Sequence, residues 1–98
     1  MIDNFRLVIN DKAIDTHPFI EKFIEHTVNG MLEALKDTGK IKDLDLTVKG
    51  KEVQINLNGE LVHINSMTTN LIISTIVGMV STLPGVQEIN NLSISVHK

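Results

Sequence analysis

Apolar and polar positions alternate with period two in three stretches. Phe5, Leu7 and Ile9 alternate with Arg6, Val8 and Asn10; Leu44, Leu46 and Val48 with Asp43, Asp45, Thr47 and Lys49; Val53, Ile55 and Leu57 with Glu52, Gln54 and Asn56. Each reads as a strand with one apolar and one wet face. Residues 18–36 switch period. They open with Pro18 and place Phe19, Phe23, Thr27, Met31 and Ile20, Ile24, Leu35 at three-to-four spacing, with Glu21, Lys22, Glu25 and Glu33 between them. That pattern predicts an amphipathic helix, with Phe5, Phe19 and Phe23 all at positions a core would use.

Residues 67–83 are harder to read. Thr68, Thr69, Ile72, Ile73, Thr75, Ile76, Val77, Val80 and Thr82 form a β-branched load that taken alone suggests a strand. The rest of the chain decides against it. Sliding the sequence by 48 residues aligns 5–50 with 53–98 without a gap, with identities at Asn10/Asn58, Ile24/Ile72, Thr27/Thr75, Gly30/Gly78, Met31/Met79, Leu35/Leu83, Ile41/Ile89, Leu44/Leu92 and Val48/Val96. Such an offset is the signature of internal duplication. The second segment is then a helix like the first, entered at Asn65 or Ser66 and stopped by Pro84-Gly85.

Asn58-Gly59 is a two-residue hairpin signal, and Asn10-Asp11 occupies the same place in the first repeat. Each repeat is therefore expected to be β-β-α-β, within one domain spanning residues 1–98. The expected fold is α+β: a two-layer sandwich of a mixed or antiparallel sheet with two helices on one face. Parity of the connections, with 43–49 and 52–58 antiparallel, makes the two halves point the same way. The alternative is a ferredoxin-like βαββαβ plan, with 12–15 as loop and the halves related by an axis through the sheet.

Composition narrows the use. A net charge of −3 and the absence of Trp and Tyr argue against nucleic acid, which needs gathered Lys/Arg and stacking platforms. Without cysteine there are no disulfides, thiolate metal sites or cysteine nucleophiles. Met1-Ile2-Asp3-Asn4 lacks a signal pattern and the run from Leu71 to Val80 is short and dotted with Ser/Thr, so no membrane association and a cytoplasmic location are expected. No catalytic motif appears, since there is no GxSxG and Gly39-Lys40 lacks the earlier glycine of a phosphate loop. The expectation is a protein that is not an enzyme and uses no cofactor or metal.

Three groups of residues are singled out. Thr27, Gly30 and Met31, with Thr75, Gly78 and Met79, mark small-residue notches for close packing or a ligand pocket. Ile73 and Val77 stand where the first helix has Glu25 and Asn29. With Ser66 and Thr69 they form a second stripe, read as a solvent-facing interface on a charge-poor half. Asp43, Asp45, Thr47, Gln54 and His63 share the wet sheet face, with Thr47, Gln54 and His63 in a row and Asp45 beside Asn56. That face is expected to be solvated, and His17, His26 and His97 to be surface residues.

The segment from Val80 to Val96, with Leu83-Pro84-Gly85-Val86 between a helix end and a strand, resembles the closing half of heavy-metal-associated and ACT-type small domains. The paired cysteines of the former are missing. The leading functional expectation is a module that homo-oligomerises, as a homodimer, or docks on another protein through its second helix. A small-ligand regulatory module, with its site at the repeat junction near Gly30 and Gly78, is the alternative.

Overall fold

The computed structural model describes residues 4–35 and 42–97. Lys36, Gly39-Lys40 and the Ile41 of the Ile41/Ile89 match lie outside the described residues. The elements run β1 (Asn4–Ile9), β2 (Lys12–Ile14), α1 (Pro18–Leu35), β3 (Asp43–Lys49), β4 (Glu52–Leu57), β5 (Glu60–Val62), α2 (Ser66–Val80) and β6 (Asn91–His97). One sheet takes all six strands in the order β2-β1-β6-β3-β4-β5, and every neighbouring pair is antiparallel. Of the two sheets expected, mixed or antiparallel, the antiparallel one is found. Since β2 and β5 are true strands, the element order is also not βαββαβ.

The ladders obey a simple rule. Adding 48 to a residue number, or subtracting it, converts one ladder into another: Leu7↔Ile14 becomes Ile55↔Val62, and Phe5↔Val96 becomes Val53↔Val48. The β3–β6 ladder maps onto itself, with Leu46 opposite Ile94 at its centre. The pairing pattern is therefore two-fold symmetric about that central pair.

The expected direction of the halves is corrected. β1 and β3 are both antiparallel to β6 and so run parallel to each other, while β4 is antiparallel to β3; the halves point opposite ways. β2 is too short to carry the chain back across the sheet, as parity of the connections requires. At three residues β2 advances only about 10 Å, and Ile14 is still level with Leu7 in the middle of β1. The 18-residue α1, about 27 Å long, makes the return instead.

Alternate strand residues and one stripe of each helix form a single core. Leu7, Ile9, Leu44, Leu46, Val48, Ile55, Leu57, Leu92, Ile94 and Val96 come from one sheet face, with Ile24, Val28 and Leu32 from α1 and Ile72, Ile76 and Val80 from α2. Both helices thus lie on that face. β-branched α2 is helical because Ile72, Ile76 and Val80 recur every four residues and are covered by the sheet, which outweighs propensities of a few tenths of a kcal/mol per residue, on the order of magnitude known for exposed helices. It starts at the expected place, with Asn65 as N-cap accepting a hydrogen bond from the Thr68 amide at 2.8 Å. It ends at Val80, ahead of Pro84.

Two expected core residues are outside the core. Phe19 is 64% and Phe23 53% exposed, whereas Phe5 packs half-buried against the core. Each exposed phenylalanine sits one residue, or about 100° of helix, before the buried line through Ile20 and Ile24. Conversely, Ile73 and Val77, expected to face solvent, are half-buried against the core.

Candidate functional site

Of the exposed large apolar side chains, Phe19, Phe23 and Leu35 lie on α1, Met67 and Leu71 on α2, and Leu61 on β5. Phe19 and Phe23 on α1 correspond, 48 residues on, to Met67 and Leu71 on α2, which are 75% and 66% exposed. The phenylalanine rings lie 6.1 Å apart. An open groove of about 560 Å³ runs between the helices, lined by Phe19, Phe23 and Thr27 on one side and Thr75, Met79 and Leu83 on the other. Both threonines turn their hydroxyls inward in the same way. Thr27 Oγ1 donates to the Phe23 carbonyl at 2.7 Å and Thr75 Oγ1 to the Leu71 carbonyl at 2.8 Å. A threonine bonded to its own preceding turn has spent its donor locally, which suits it to a groove with little other polar surface.

The expected notch residues divide. Thr27, Thr75 and Met79 line one groove, while Met31 packs half-buried against the core. Gly30 and Gly78 are exposed, and a methyl group placed on either would meet no atom within 4 Å. Neither glycine therefore makes a close approach among the described residues. Of the expected interface stripe, Ser66 is exposed and Thr69 half-buried, its hydroxyl donating to the Asn65 carbonyl at 2.9 Å. With Ile73 and Val77 half-buried, that line is not a continuous exposed stripe. The residues missed by sequence reading are Phe19, Phe23, Met67 and Leu71. Their signal was present in the 48-residue offset, which pairs a large apolar side chain with another at both positions.

The wet sheet face has the expected cross-strand pairs, Thr47 with Gln54 and Asp45 with Asn56. The histidine beside the two aspartates, however, is His97. Its Nδ1 lies 2.9 Å from Asp43 Oδ1 and its Nε2 3.6 Å from Asp45 Oδ1, and Ser95 Oγ donates to Asp45 at 2.8 Å. β3 and β6 pair Asp43 with His97 and Asp45 with Ser95, a register invisible before the strand order is known. The imidazole pKa is raised above its ordinary 6.5, chiefly by the hydrogen bond to Asp43, partly offset by desolvation, with the charges of Asp45 and Asp43 adding to the rise. Since the Ser95 hydroxyl is directed at a carboxylate, the imidazole does not serve as its base. Among the described residues no three His, Asp or Glu side chains are grouped to hold a metal ion.

Thr47, Gln54 and His63 line a different feature, an open cleft of about 730 Å³ that also takes in Lys49, Lys51, Ser66 and Thr69. Among the described residues no helix is long and apolar enough to cross a membrane. Comparison of the chain with protein-family models, with curated proteins and with solved structures gives no match.

Proposed function

We propose that the chain is an internal duplication and a non-catalytic module that pairs with a second copy of itself across the outer face of its two helices. The observation that carries the pairing is the exposure of Phe19, Phe23, Met67 and Leu71 at equivalent positions of one layer. At about 200 Å² for a large apolar side chain, those exposures sum to roughly 500 Å² on one face, against the ~800 Å² each partner contributes to a standard interface. An apolar area of that order is at the upper end of what a monomer exposes, and patches of this size are often functional.

The occupant that suits it is another copy. α2 has no charged residue from Ser66 to Val80, so a charged partner would find no counter-ions along it. The face also repeats its own composition across the two-fold relation of the halves, which favours self-complementary pairing. The duplication is supported by the 48-residue offset common to element starts and strand registers.

Sedimentation velocity over a range of protein concentrations tests the pairing. The wild type should sediment as a dimer and the Met67→Lys/Leu71→Lys variant as a folded monomer; a monomeric wild type would overturn the proposal. A second reading, an apolar small ligand between the helices, is favoured by the groove through Thr27 and Thr75. It predicts that an environment-sensitive apolar dye binds the monomeric variant saturably and that Thr75→Lys abolishes this. A dye signal indifferent to Thr75→Lys would dismiss that reading.

A further inference from the structure

We propose that the cleft between β4, β5 and the first turn of α2 is a binding site for a small organic anion with an apolar body. β5 stops at Val62, opposite Ile55, so Glu52, Val53 and Gln54 of β4 have no strand outside them. The chain leaves the sheet there and enters α2. The space left between the two is the cleft of about 730 Å³, within the roughly 300–1,000 Å³ usual for small-molecule sites.

Its lining separates into two ends. Val53, Val62 and Ile64 are half-buried and form an apolar floor, whereas Lys49 and Lys51 are exposed at the hairpin end, with His63 also on the rim. Two ammonium groups face one lining carboxylate, Glu52, and neither lysine forms an ion pair with it or with any other described carboxylate. In a chain of net charge −3 this is a local excess of positive charge. An ammonium group attracts phosphate or carboxylate as a point charge, and the floor supplies burial for what the anion carries.

The other half of the molecule provides an internal comparison. Where the cleft has His63 and Thr69, the positions 48 residues earlier hold the carboxylates of Asp15 and Glu21. The lack of carboxylates at these two positions therefore belongs to this location and is not a property of the repeated backbone. Its charged end is separate from the helical face, since Lys49 and Lys51 do not lie on the helices, while Ser66 and Thr69 of α2 line the opposite side.

Amide chemical shifts of the full chain, titrated with phenyl phosphate and with benzoate, test the proposal. Inorganic phosphate serves as the head alone and phenol as the body alone. At least one of the two organic anions should give saturable shifts centred on residues 49–54 and 62–64, and bind more tightly than either fragment. Lys49→Gln/Lys51→Gln should weaken that binding by roughly tenfold or more, the effect of losing about one charge-assisted contact, with its unbound spectrum otherwise unchanged. Absence of saturable shifts with both anions, an unchanged affinity in the double variant, or equal binding of phenol would each overturn it.

Discussion

Asn10 and Asn58 show how one residue type is used twice. Both hold positive φ, 51° and 50°, at the first position of their hairpin turns, a conformation asparagine tolerates better than most residues. Each side chain then reaches a distant strand start. Asn58 Oδ1 accepts from the Lys42 and Asp43 amides at 2.8 and 2.9 Å, and Asn10 Oδ1 from the Asn90 and Asn91 amides at 2.8 and 3.1 Å. Replacing either by alanine should cost about 2 kcal/mol, combining turn strain with unsatisfied amides, measured by urea unfolding; losses near zero would show the bridges to be incidental. The turn at Asn58-Gly59 was legible from the residues, but the bridges were not, because Asn10 and Asn90 are 80 residues apart. His97 makes a second prediction at this scale. With its folded pKa raised above 6.5 by Asp43, its contribution is fully present below pH 6.5 and disappears as pH rises through the folded value. Stability should therefore fall over that window more in the wild type than in His97→Gln, an outcome absent if the two denaturation profiles run parallel.

At the level of elements, α2 was readable only through its partner segment, since β-branched residues alone favoured a strand. What could not be read was which apolar line of each helix faces inward. Phe19 and Ile20, like Met67 and Thr68, are neighbours, and an apolar arc wider than the core contact leaves the choice to the sheet. The glycines now have an assignable cost. Gly78 is helical and exposed with open space beside it, so Gly78→Ala in the monomeric Met67→Lys/Leu71→Lys background should raise stability by about 0.5–1 kcal/mol. In the otherwise native chain the same change should weaken self-association, because the added methyl group lies on the face proposed to pair. A substitution that stabilises the monomer without altering the sedimentation profile would place Gly78 outside that contact.

For the whole molecule, the two-layer plan and the helical side of the sheet followed from periodicity, while strand order depended on pairings between halves that no local pattern encodes. The candidate sites divide similarly. Thr47, Gln54 and His63 were placed together by hairpin register, yet the lysines that complete their cleft were passed over because isolated surface lysines carry no motif. The sheet's outer strands, β2 and β5, have only three residues each, and short edge strands limit edge-to-edge aggregation.

The central ladder has a further consequence, for folding. Within each half the first and last strands are not neighbours: β6 separates β1 from β3, and β3 separates β4 from β6. Unlike stacked repeats, which can form one after another, neither half can close a sheet from its own strands. Cutting the chain at Gly50 should yield two fragments that are each unstructured by circular dichroism and regain structure when mixed in equal amounts. If either fragment folded alone as a monomer, that interdependence would be refuted. The energetic unit is the interlocked pair, so local opening of one half should release the other, and amide exchange in β3 and β6 should report one opening free energy, that of global unfolding.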